Sequence, residues 1–126
     1  MKKTLLNNTR IIIISLSILL SLSSFYIFAQ NSEKNETLKN IEILNISSKM
    51  IEDKKFEEAK NKLSEIKDVD FYFLKNQQLG DIAFLNGKYE ESLSFYNIAQ
   101  IHAKDKIMFE YMNKKMDYIK TLKIKK

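Results

Sequence analysis

Residues 79–100 read LGDIAFLNGKYEESLSFYNIAQ, two helix-spaced apolar runs on either side of Asn86-Gly87. Leu79, Ile82, Ala83 and Leu85 step by three and four before the break, and Tyr89, Leu93, Tyr96 and Ala99 do so after it. Asn-Gly is a pair that accepts the positive φ closing a helix, so the stretch predicts a helical hairpin. The same statement occurs thirty-three residues upstream. There, Phe56-x2-Ala59-x3-Leu63-x2-Ile66 echoes Tyr89-x2-Ser92-x3-Tyr96-x2-Ala99, with Lys54 standing where the second copy has Gly87.

Working outward, Leu38, Ile41, Ile43 or Leu44, Ile46, Met50 and Ile51 form a helical stripe that fades at Asp53-Lys54-Lys55. A second helix follows from Phe56 to Ile66. Asp70 is placed to cap a third, carrying Phe71, Leu74, Leu79, Ile82, Ala83 and Leu85. A fourth spans 89–103 with Leu93, Tyr96, Ile98 and Ala99 inward. Asp105 caps a fifth, along which Met108, Tyr111, Met112, Ile119 and Leu122 recur, interrupted by Lys115. No run alternates with period two and proline is absent, so the fold class is all-α: antiparallel helical hairpins in a short stack.

The pattern Leu79-Gly80-x2-Ala83-x3-Gly87-x-Tyr89-x2-Ser92-x3-Tyr96-x2-Ala99 resembles the tetratricopeptide repeat, a hairpin of about thirty-four residues. Gly80 and Ala99 are small where helices cross closely, and Tyr89 and Tyr96 fill the groove beside them. Asn76, Ala83, Ser92 and Lys104 depart from the family pattern, which favours tryptophan, tyrosine, alanine and proline there. The resemblance covers 38–104 as two repeats, 38–70 and 71–104, with Phe56, Ala59, Gly80, Gly87, Tyr89, Tyr96 and Ala99 as defining positions. Residues 105–126 resemble the capping helix of such arrays. Two hairpins are fewer than a stable stack usually needs, which implies completion by a second copy or another partner.

Residues 1–29 have the order of an export signal: Lys2, Lys3 and Arg10, then the uncharged Ile11–Phe28, then Ala29. The apolar run lies between a cleaved signal peptide and an uncleaved signal anchor, and five serines dilute it. The positive charges precede it, so the remainder is expected outside the inner membrane, periplasmic or anchored. Residues 30–37 are polar and read as a linker. The composition looks bacterial, so the sequons at Asn35 and Asn45 carry no weight.

The net charge of +5 falls to +2 beyond Ala29. Residues 30–103 carry ten lysines against thirteen acids, and 104–126 carry eight against three, so basic character sits in the tail. Lys114, Lys115, Lys120, Lys123, Lys125 and Lys126 suit a helix C-terminus, or alternatively anionic lipid or an acidic partner. Export argues against nucleic acid.

The chain has no cysteine, one histidine and two glycines. Disulfides, thiol chemistry and a lipid-modified cysteine are excluded. His102 has Asp105 as its nearest acid, too little for a metal site, and no Ser-His-Asp set or phosphate-cradling loop can be assembled. The pairs Glu57-Glu58 and Glu90-Glu91 open helices, where negative charge complements the dipole. No catalytic, cofactor or metal residue is assigned, and the chain is expected not to be an enzyme.

In repeats resembling these, the first helix of each hairpin lines a concave binding face. The resemblance therefore implies Ser48 and Glu52 from the first unit, and Gln77, Asp81 and Phe84 from the second, as residues for a protein or peptide partner. A structural or oligomerising subunit, or association with a membrane surface through the basic tail, is the alternative expectation.

Overall fold

A computed structural model describes residues 1–124, all of it helical and connecting structure with no strand among the described residues. The helices are α1 (Lys2–Glu52), α2 (Phe56–Ser64), α3 (Tyr72–Leu85), α4 (Tyr89–Ile101) and α5 (Lys106–Ile124), with a 3-10 turn at Val69–Phe71. The chain divides into two compact units, Met1–Leu38 and Lys39–Lys126.

The first unit is helical. Its apolar residues from Ile11 to Phe28 are exposed, and by length and composition it can cross a membrane, a test that a signal sequence also passes. Ser15, Ser17, Ser21, Ser23 and Ser24 donate to backbone carbonyls three or four residues back, at 2.7 to 2.9 Å. Satisfied on their own helix, these hydroxyls lose less on entering an apolar phase. Residues 30–37, expected as a linker, are helical. Without glycine or proline, nothing there stops the helix, and Glu33, Lys34 and Glu36 favour it.

In the second unit two turns repeat one geometry. Lys54 N–H donates to the Ile51 carbonyl and Lys55 N–H to Met50; thirty-three residues on, Gly87 donates to Phe84 and Lys88 to Ala83. The first residue of each pair is left-handed, with φ of 59° at Lys54 and 72° at Gly87. Glycine adopts that conformation freely, whereas lysine is destabilised there by roughly 1 kcal/mol. The α2 and α4 helices that follow open without a side-chain cap. Glu57-Glu58 and Glu90-Glu91 occupy their first turns, where their charge favours the exposed amides.

Two small cores result. Ile43 and Leu44 of α1 pack with Ala59, Leu63, Ile66 and Ile82. Phe73, Tyr96, Ala99, Met112, Met116 and Ile119 form the other. Helix α3 serves both, through Ile82 on one side and Phe73 on the other. Ser47 donates to Gln78 Oε1 (2.6 Å), and Gln78 Nε2 donates to the Leu44 carbonyl (3.0 Å), which fixes α1 against α3. Ser92 is fully buried and donates to the Gly80 carbonyl at 2.8 Å, so a hydroxyl is satisfied where the repeat pattern usually has alanine. Asn40 is also buried, and its amide nitrogen has no protein partner among the described residues.

The helix limits differ from expectation at three points. Asp70 does not cap the third helix, which opens without a side-chain cap: Asp68 caps the preceding 3-10 turn, accepting from Asp70 N–H at 3.0 Å, and Asp70 pairs with Lys104 at 3.1 Å. A 3-10 turn intervenes, so α3 starts at Tyr72. Helices α2 and α4 stop at Ser64 and Ile101, short of the expected 66 and 103, although Ile66 stays buried and Lys75 Nζ donates to its carbonyl at 2.8 Å. Leu38, Ile41, Leu74, Leu85, Ile98 and Tyr111, apolar positions of the expected helical stripes, are exposed; Phe73 and Met116, passed over in the sequence, are buried. Asp105 does cap α5, accepting from Met108 N–H at 2.8 Å.

Candidate functional site

The side chains that meet in one place come from α3, α4 and α5. Tyr96 Oη and Lys115 Nζ (2.5 Å) both donate to Asp81 Oδ1, so one carboxylate joins three helices. The Lys115 ammonium also lies 5.1 Å from the Tyr96 ring centre and 5.3 Å from that of Tyr111, close enough for cation–π attraction. Burial, with the adjoining Asp81 carboxylate, raises the Tyr96 phenol well above its ordinary value. Tyr96 is therefore a neutral donor over the physiological range.

Beside this clasp is a pocket of about 130 Å³ lined by Asp81, Phe84, Tyr96, Lys115, Tyr118 and Ile119. Phe84 stacks obliquely on Tyr89 and Tyr118, with ring centres 5.8 and 6.1 Å away. A larger pocket of about 530 Å³ is lined by Ile51, Glu52, Lys54, Phe56 and Leu85. The two are counterparts. Ile51 precedes Phe84 by thirty-three residues and Leu85 precedes Ile119 by thirty-four, so each pocket lies where the last turn of one hairpin's first helix faces the following such helix.

Of the five residues implied by the family resemblance, Asp81 and Phe84 enter the smaller pocket and Glu52 the larger. Ser48 is exposed and Gln77 half-buried, and neither lines these pockets. Asp81 is not a free recognition group, since Tyr96 and Lys115 already occupy it. Gln77 makes no side-chain hydrogen bond among the described residues, whereas its neighbour Gln78 bridges to α1. Leu85, Lys115 and Tyr118 belong to the site although sequence reading left them out. The signal available was the thirty-four-residue step from Asp81 to Lys115, opposite charges at equivalent helix positions.

Three of the four tail lysines among the described residues are in ion pairs. Lys115 pairs with Asp81, Lys120 with Asp117 at 3.4 Å, and Lys123 with Glu90. Lys114 is the one tail lysine without an ion pair among the described residues, and Lys125 and Lys126 lie outside them. His102 meets the Tyr72 ring edge-on at 5.3 Å between ring centres. No group of three metal-ligating side chains exists among the described residues. Comparison with protein-family models, with curated proteins and with solved structures finds no match to this chain.

Proposed function

We propose that this chain is a non-enzymatic protein–protein interaction module of two tetratricopeptide-like repeats and a capping helix, exported to or anchored at the bacterial cell envelope. The observation that carries the reading is the thirty-three-residue recurrence of one turn, in hydrogen bonds and in φ, at Lys54 and Gly87. It sets α1 and α3 in equivalent roles, each presenting its last turn to a pocket. Such repeated, adjacent surfaces suit a polypeptide partner better than a small substrate. The exposed apolar helix behind Lys2, Lys3 and Arg10 supports export or anchoring.

Two experiments test this. A photo-crosslinker at Glu52 of the full chain, expressed in bacterial membranes, should yield a discrete protein adduct that Ser48→Arg with Gln77→Arg reduces severalfold. No adduct, or an adduct indifferent to both substitutions, refutes the binding face. The N-terminal mass of the mature protein tests export: a chain starting at Gln30 is cleaved, one starting at Met1 in the membrane is anchored. Recovery of intact chain from the cytosol refutes both.

A further inference from the structure

The two pockets share more than position. Each is lined mostly by apolar surface, and each includes one acidic and one basic residue: Glu52 with Lys54 in the first, and the ion-paired Asp81 and Lys115 in the second. A charged side chain entering either socket therefore meets a like charge as well as an opposite one, and the complement of both is an uncharged segment. Lys54 supports this reading. It lies in the left-handed region that Gly87 occupies in the second hairpin, and it is one of the residues that line the first pocket. A basic residue therefore stands near Glu52 at a backbone position that favours glycine.

Volume and spacing narrow the occupant. The first socket, at about 530 Å³ between Ile51, Phe56 and Leu85, has room for a large aromatic side chain. The second, at about 130 Å³ and walled by Phe84, Tyr118 and Ile119, suits a small aliphatic one. Helix α3 contacts both α1 and α5 directly, through Gln78 and Asp81, so the sockets are about one interhelical step apart, ~10 Å. An extended left-handed polyproline-type chain rises roughly 3.1 Å per residue with three residues per turn, so side chains three positions apart share an edge at ~9 Å.

Resting on the interaction-module reading above, we infer that the paired sockets bind an extended, uncharged segment of a partner protein bearing an aromatic and a small aliphatic side chain three positions apart. The aromatic seats between Ile51 and Leu85, and the aliphatic between Phe84 and Tyr118. Because the rims are charge-balanced, binding is insensitive to salt.

The probes are labelled dodecapeptides of Ser, Gln and Pro carrying Phe and Val three apart, in both orders. Controls carry one anchor, adjacent anchors, anchors seven apart, or Glu or Lys in place of an anchor. Binding is read by anisotropy against the full chain in phosphatidylcholine nanodiscs, with empty nanodiscs subtracted. One order of the three-apart pair should bind about tenfold or more tighter than any control, with little change from low to high salt. Leu85→Ala should abolish the benefit of Phe alone, and Tyr118→Ala that of Val alone; both side chains are largely exposed, so the fold survives. Equal affinity for single-anchor peptides, preference for the seven-apart (helical) or charged peptides, or no binding at all overturns the inference. If the Glu52 crosslink forms and responds to Ser48→Arg with Gln77→Arg but not to Leu85→Ala or Tyr118→Ala, the module reading stands and the sockets fail. Loss of both adduct and peptide binding removes both.

Discussion

Gly80→Ala puts two opposing effects at one atom. In a helix interior, alanine is favoured over glycine by about 1 kcal/mol. Here an added Cβ would collide with Tyr96 Cδ1 and Cε1, closer than real contacts reach. The ring cannot step aside cheaply, because Tyr96 is 3% exposed and its hydroxyl is tied to Asp81. Overpacking of this kind costs roughly 1–3 kcal/mol, more where a hydrogen bond is lost with it, so after subtracting the propensity gain we expect a net loss of about 2 kcal/mol. For a domain of this size that is a fall in Tm of roughly 10 °C. The assay is thermal and urea unfolding of the full chain in detergent micelles, followed by tyrosine fluorescence. Gly87→Ala is the control: nothing lies within 4 Å of its added Cβ, and only the φ of +72° resists it, at roughly 1 kcal/mol. Gly80→Ala matching or exceeding the wild type in stability would refute the close crossing of α3 and α4.

Three further outcomes follow from particular groups. Tyr96 holds its proton more tightly in the folded state than in the unfolded chain, whose phenol titrates near 10.0. Above that pH the unfolded state releases a proton that the folded state keeps, so stability should fall with rising pH, by up to ~1.4 kcal/mol per unit. Tyr96→Phe should flatten this slope in denaturation curves collected from neutral to alkaline pH. Asn40→Leu removes a buried amide whose nitrogen lacks a protein partner and should raise stability by about 1 kcal/mol in urea titrations. Asp105→Ala should cost about 1 kcal/mol and speed amide exchange in the first turn of α5, starting with Met108.

Helix existence and much of the core were legible from period alone, because Ala59, Leu63, Tyr96, Ala99, Met112 and Ile119 each recur at helical steps and each proved buried. Periodicity gives a stripe, however, and not its edges. Leu74 and Phe73 are adjacent apolar residues, and only packing against α4 and α5 decides that Phe73 goes inside. Capping was similarly split: Asp105 works as its position suggests, while Asp70 falls inside a 3-10 turn that Asp68 caps, leaving α3 without a side-chain cap. The site was legible in part. Phe84 and Glu52 line pockets, but Asp81 is taken up by Tyr96 and Lys115. Those bonds join residues fifteen and thirty-four positions distant, beyond any local pattern.

Met116 of α5 lies in the second core thirty-four residues after Ile82 of α3, which lies in the first. The two cores thus draw on equivalent positions of α3 and α5. The opposite flank of α5 carries Glu110, Lys114 and Asp117 at the positions of Asn76, Gly80 and Ala83. A helix packed on that flank would bury three charged side chains, which is far more costly than covering the small, uncharged Gly80 and Ala83.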